Sequence, residues 1–440
     1  MSAVATDTGV PEAGVRAPDH AGGRAAALRD GTALSLSALL TGLVGLACWV
    51  IAAATLPQDT VGAASGFVSG FILVAGIAQL NVGLGMLRWL PRAGRRAGTL
   101  VLRGYLVVGA AAGAGAVVFP LLPAGAVVEG AGPGLFVVAS VCWALFQLQD
   151  SVLAALGRAW WVPMINGAYV LARVVALPAL GSALGALGVL LSWIAPTAAA
   201  MVSAAVVITV LVARRGGAGA GGRDAAAGLP PVREVVSFLG PTYLASLGTT
   251  LLYNSVPLLV IHGHGTTLGA TFFVIWTGIN AADYAISGFV NSLVLRGSAQ
   301  PHALGEIVGA VARRLAALVL PAAAGGIVFA PLVLRLFGPA YAEQGAAALR
   351  VLLLGMVVRV VVALAVGVRL ARGDGRSAAA IQLSSTALVL LGVLLAPPGA
   401  GLVWPAAGFV LAQAAVATVI GAAVLPGVLR RARERTEAAT

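Results

Sequence analysis

Residues 56–96 read LPQDTVGAASGFVSGFILVAGIAQLNVGLGMLRWLPRAGRR: a short polar turn, a long apolar run and a cluster of arginines. Between Val61 and Leu90 no charge precedes Arg88. About 20 apolar residues cross the hydrocarbon core of a bilayer, so this run spans it with length to spare. Arg88, Arg92, Arg95 and Arg96 close the run, and basic residues beside a span stay on the cytoplasmic side. The spacing predicts a helix running from outside to inside, and that direction orients the rest of the chain.

The whole composition agrees with this stretch. The chain has 440 residues, 60% hydrophobic and 10% charged, with mean hydropathy +0.99. A soluble domain carries about 25% charged residues. The apolar runs do not alternate with polar residues as barrel strands do, which leaves helices as the way to satisfy the backbone in lipid. All 27 basic residues are arginine, and they sit between apolar runs. The net charge of +12 therefore reflects topology and not nucleic-acid binding. Cys48 and Cys142 lie inside apolar runs and read as packing residues.

The expected fold class is an all-α polytopic membrane protein of about 12 transmembrane helices, arranged as two six-helix bundles with both termini cytoplasmic. The spans fall at about 34–54, 61–87, 100–121, 135–155, 163–183 and 188–212, then at about 236–261, 268–292, 315–335, 346–369, 378–396 and 401–425. Residues 1–32 read as a disordered cytoplasmic tail, 33–213 as one bundle and 214–234 as an Arg/Gly-rich linker. Residues 235–426 form the second bundle and 427–440 a basic tail. This topology leaves only Arg335 and Arg350 outside, and places Arg173 and Arg359 within spans. Trp89, Trp160, Trp161 and Trp404 lie near span ends, as interfacial anchors do.

The two halves echo each other. Val61 aligns with Leu268 at an offset of 207, and Val118 with Val328 at 210. Arg158 aligns with Arg372 at 214, and Arg214 with Arg430 at 216. Offsets that drift in one direction indicate a duplicated six-helix unit. An even number of spans gives both halves the same orientation, with a site expected between them near the midplane.

Ionisable groups at bilayer depth cost roughly 2.5–3.5 kcal/mol even on the lenient insertion scale, so they should face the interior or a wet cavity. Arg173 and Arg359 lie near the midplane, one in each half; Asp283 and Asp150 also fall within spans. Two guanidiniums would suit a pyrophosphate, whose oxygens a planar fork pairs bidentately. The alternative is an ion pair of Arg173 or Arg359 with Asp150 or Asp283, holding helices together. Asn280, Asp283, Ser287 and Asn291 form a stripe on one helical face. Tyr253, Asn254 and Gln147 add polar groups from other spans, enough to line a path for a sugar headgroup. Gln79 and Asn81 fit such a cavity and a helix contact equally. His262 and His264, in HGHG, fall in an expected outer turn without a carboxylate nearby, which argues against metal. The glycine-rich pieces lack a P-loop lysine, so the chain reads as no ATPase, with no cofactor and no catalytic set.

Several stretches resemble the oligosaccharide flippases (Wzx type) of the multidrug/oligosaccharidyl-lipid/polysaccharide (MOP) superfamily. They are the turn into Gly62-Ala63, the closing step Arg88-Trp89-Leu90-Pro91, and GALGVLLSW at 185–193. FLGPTYLASLGTTLLYNSVPLLV at 238–260 and FGPAYAEQGAAALRVLLLG at 337–355 are further such stretches. The resemblance implies an inverted V of two bundles, alternating access, and flipping of a lipid-linked oligosaccharide or polysaccharide precursor across the bacterial cytoplasmic membrane. It implies that glycan and membrane lipid as partners, with glycosyltransferases or a polymerase of the same pathway, and no nucleic acid. The alternative within the superfamily is a multidrug/cation antiporter using Asp283 or Asp150 as the proton or sodium site. A membrane enzyme of glycan assembly would need an outer acidic pair, and the outer acids Asp59, Glu129 and Glu343 lie far apart in sequence.

Overall fold

The computed structural model describes residues 45–128, 131–218, 230–397 and 399–437. The expected tail 1–32, the start of the first span and most of the 214–234 linker lie outside the described residues. So do the last residues of the 427–440 tail. The described chain is helical, with no strand among the described residues.

The helices are α1 (Gly45–Thr55), α2 (Gln58–Ala78), α3 (Val82–Trp89), α4 (Ala97–Val118), α5 (Pro133–Ala155), α6 (Trp161–Leu184) and α7 (Ala186–Ala218). They continue with α8 (Val232–Ala299), α9 (Leu304–Arg335), α10 (Pro339–Ala371), α11 (Gly375–Leu394) and α12 (Val403–Glu437). Among the described residues, ten stretches are long and apolar enough to cross a membrane. One of them, within α8, runs 54 residues. At 1.5 Å per residue that is about 80 Å, more than two bilayer cores. Gly265, at φ 82° and ψ 171°, breaks α8 into two crossings, here α8a and α8b. With that division the described residues hold eleven crossings, and α1 is the described part of the expected first span.

Three boundaries differ from the sequence reading. HGHG is not a free turn: His262 and His264 lie on the helix, and Gly265 alone makes the break. FGPAYAEQG is not a loop either. The turn ends at Gly338, and Pro339 opens α10, because a proline at the first helical position loses no hydrogen bond. The second span is not one helix. Leu80 and Asn81 adopt φ of 46° and 54°, which separates α2 from α3. Left-handed non-glycine residues cost on the order of 1–3 kcal/mol each, so neighbours must hold them. Tyr243 donates its hydroxyl to the freed Ile77 carbonyl at 3.0 Å. Gln79 Nε2 donates to the Ala144 carbonyl at 2.6 Å, and Ser246 Oγ to Asn81 Oδ1 at 3.1 Å.

Helices α1–α7 form one lobe and α8–α12 the other, and α2 followed by α3 packs antiparallel along α8a. At one end a Cβ on Gly62 would overlap the Thr266 carbonyl, so the glycine permits the close approach. At mid-seam Gly76 meets Thr250. At the other end Trp89 Nε1 donates to Glu234 at 3.3 Å, and the Arg88 guanidinium lies 4.1 Å from the centre of the Phe238 ring. Gln58 locks the first end further: Nε2 donates to the Thr267 carbonyl (3.1 Å), to Thr271 Oγ1 (2.7 Å) and to Gln344 Oε1 (2.8 Å).

Prolines inside α8a and α9 each free a carbonyl four residues back. Tyr253 loses its partner at Pro257, and the Trp276 indole donates to that carbonyl at 2.9 Å. Ile327 loses its partner at Pro331, and Arg350 Nε donates to it at 3.1 Å. Arg350 therefore serves as a helix patch, which accounts for an arginine on the sparsely charged side.

Candidate functional site

Three charged side chains are fully buried among the described residues: Arg173, Asp283 and Arg359, at 3%, 4% and 4% exposure. Two of them neutralise each other. Arg359 of α10 donates Nε to Asp283 Oδ1 of α8b at 3.1 Å. Its terminal nitrogens face Gln382 Oε1 of α11 at 3.4 Å. Tyr253, on α8a, is buried within electrostatic reach of both charges. The pair thus ties four helical segments of the second lobe together.

Arg173 of α6 has no such partner. Its guanidinium lies 3.5 Å from the ring centre of Trp193 on α7 and 6.0 Å from that of Trp49 on α1. Tyr169, one turn back on α6, and Cys48 are its nearest polar neighbours. A buried cation over an indole face gains about 2 kcal/mol. Desolvating the ion costs several kcal/mol, so the stacking offsets part of the cost and leaves the charge uncompensated. The rings around it form a continuous cluster. Trp193 meets Trp143 at 5.5 Å and Phe71 at 5.9 Å between centroids, and Trp143 meets Tyr169 at 6.1 Å.

The two sites are joined by aromatic contacts across the lobes. Trp49 packs edge-on against Phe273 of α8b at 4.7 Å. The adjacent Phe272 stacks on Trp276 at 5.7 Å, and Trp276 holds the Tyr253 carbonyl. The structure does not bring Arg173 into contact with Arg359; each is sealed in its own lobe by this wall.

The remaining candidates are distributed. Asp150 of α5 accepts from Asn166 Nδ2 at 3.1 Å and meets neither arginine. Gln147, one turn earlier on α5, is exposed. Asn254 is half-buried and donates to the Thr250 carbonyl of its own helix at 3.0 Å. Asn280 is half-buried with its Oδ1 unbonded among the described residues, while Asn291, further along the stripe, is exposed. His262 and His264 join no group of three potential metal ligands among the described residues.

Sequence reasoning missed Gln382, a single amide in an apolar run, and Gln58 and Gln344, which lie in polar segments at expected span ends. It also missed Trp49, Trp143, Trp193 and Trp276. A signal for these tryptophans was present. The chain has eight tryptophans, and these four fall inside apolar runs, Trp143 and Trp276 well away from the span ends where interfacial anchors sit.

No family model and no curated protein matches the sequence. Solved structures do. The inward-facing conformation of a multidrug resistance MATE family transporter of the MOP superfamily aligns with TM-score 0.67 at 17% identity, covering 91% of this chain and 95% of that one. The outward-facing conformation of such a transporter aligns at 0.62 and 17% identity, over 93% and 96%. A MOP superfamily transporter from Pyrococcus furiosus, described by a reversed polarity of its binding pocket, aligns at 0.62 and 18%, over 92% and 95%. At this identity the likeness shows the fold: the chain has the two-bundle architecture of MOP superfamily transporters over more than nine-tenths of its length.

Proposed function

We propose that this chain is a transporter that flips an anionic, lipid-linked glycan precursor across the bacterial cytoplasmic membrane by alternating access. The observation that carries the reading is the polarity of the lobe interiors. The buried carboxylate Asp283 is already neutralised by Arg359, which leaves Arg173 as the uncompensated fully buried charge among the described residues. A net positive interior favours a substrate bearing phosphate or acidic sugar and opposes organic cations. The arginine-rich ends of α3 and α9 face the cytoplasm in this reading, and the Gln58–Gln344 lock closes the outer end. The lipid tail stays in the bilayer while the headgroup passes between the lobes.

One observation favours a cation antiporter on the same fold. Asp150 has one carboxylate oxygen bonded to Asn166 and the other without a protein partner among the described residues. Tyr105 lies within electrostatic reach. Such a carboxylate is suited to bind and release a proton.

A deletion strain complemented at matched membrane levels separates the two. Loss of surface glycan with lipid-linked precursor accumulating inside, rescued by wild type and by Asp150→Asn but not by Arg173→Gln, is the expected result. Normal surface glycan together with altered dye or drug sensitivity, lost in Asp150→Asn, would overturn the flippase reading in favour of antiport.

A further inference from the structure

We propose that the aromatic box around Arg173 is a binding site for a small inorganic anion of halide type. The box is rich in donors. Arg173 Nε, Trp193 Nε1 and Trp143 Nε1 are buried and make no hydrogen bond among the described residues. Each of these groups can donate and none can accept. The Tyr169 hydroxyl, beside the guanidinium, adds an O–H. No carboxylate among the described residues balances them: α1 has no acidic residue, and Asp150 does not reach Arg173. A guanidinium cannot shed its proton to relieve the charge. The Cys48 thiol in these apolar surroundings is a weak donor and not a counter-charge. A single anion held beside the guanidinium would accept hydrogen bonds from such donors and supply the missing charge.

The shape restricts the anion. Trp193 covers one face of the guanidinium, Trp49 lies over it at 6.0 Å, and Trp143, Tyr169 and Phe71 close the surrounding layer. Arg173 and Trp193 are 3% and 7% exposed. Rings on these sides restrict the ligand to a small anion; a pyrophosphate with its attached sugar does not enter a box closed by rings. The second lobe makes the contrast. There Asp283, a carboxylate of the chain itself, plays the part proposed for the anion here. The physiological use of the site as an exchanged counter-ion, whose release restores the positive interior that attracts the headgroup, rests on the proposed transport of an anionic glycan. Binding itself is measured without that substrate.

The purified full-length protein in detergent is held in sodium gluconate and titrated with sodium bromide or sodium iodide at constant ionic strength. Saturable halide-dependent quenching of tryptophan fluorescence and a saturable rise in melting temperature are expected, because a ligand that binds only the folded state stabilises it. Arg173→Gln should abolish both. Trp193→Phe keeps the ring and the charge but removes one donor, and should shift the half-point of the melting response several-fold upward with an unchanged elution profile. Quenching that rises linearly with halide, with equal thermal responses in wild type and Trp193→Phe, would overturn the site. So would a saturable, Arg173-dependent response to inorganic pyrophosphate without one to halide; that result assigns the box to the substrate headgroup and leaves the transport reading standing. Halide binding in a protein whose deletion leaves surface glycan normal would instead sustain the site while the transport reading fails.

Discussion

Arg359 and Arg173 look alike in sequence, each an arginine deep in an apolar run, yet the structure gives them opposite surroundings. Removing one member of a buried pair strands the other charge and costs roughly 3–5 kcal/mol, while replacing both with neutral isosteres is far milder. Arg359→Gln should therefore lower the melting temperature of the detergent-purified protein sharply, and Asp283→Asn/Arg359→Gln should recover most of the loss. A double variant as unstable as the sum of the single ones would show that the pair carries no coupling. The same comparison separates a positioning role from a substrate role. If the double variant folds and still supports glycan export, Arg359 acts through the lobe and not on the cargo.

Breaks decide the behaviour of the elements. Two of them, Gly265 in α8 and Leu80–Asn81 between α2 and α3, lie on segments that form the seam between the lobes. Glycine reaches a positive φ without steric penalty, whereas asparagine does so only with support. Ser246, Tyr243 and Gln79 supply it from three directions. Asn81→Val forces a β-branched residue into the left-handed region and removes the bond from Ser246, an expected loss of about 2–3 kcal/mol. Asn81→Gly keeps the backbone geometry and forfeits only the side-chain bond, about 1 kcal/mol. Melting curves of the two variants check the order. Equal destabilisation would mean that the break does not depend on its backbone conformation. The α8a and α9 prolines show the complementary device, in which a side chain from another element, Trp276 or Arg350, takes over a carbonyl that the helix cannot satisfy.

At the scale of the whole molecule, the lobes are fastened at one end by Gln58, Thr267, Thr271 and Gln344, and the proposed alternating access would require that fastening to open. In a Cys48→Ala/Cys142→Ala background, Gln58→Cys and Thr271→Cys joined by a short reducible cross-linker should stop glycan export, and reduction should restore it. Export that continues at full rate with the linker in place would show that this end need not separate. The fastening joins the two lobes at the end where they meet, so a single cross-link there is expected to act on the entire proposed cycle.

The amino-acid sequence by itself determined the class of the protein. Apolar length and the positions of the arginines fix helices in a membrane, because the backbone must be satisfied within each span and most charge must stay at its ends. It also singled out the buried ionisable residues, since depth in an apolar run is a local property. What it could not supply was partnership. Asp283 and Arg359 are 76 positions apart, and Asn81 and Ser246 are 165 apart; which helix turns which face to which neighbour is decided by packing. The same holds for Trp49, Trp143 and Trp193, ordinary apolar residues in the chain that become a donor-bearing box around Arg173 once α1, α5, α6 and α7 close on one another. Composition set where charge could reside. Only the tertiary structure decided that one buried arginine is neutralised and the other is not, because neutralisation depends on a carboxylate arriving from a different helix.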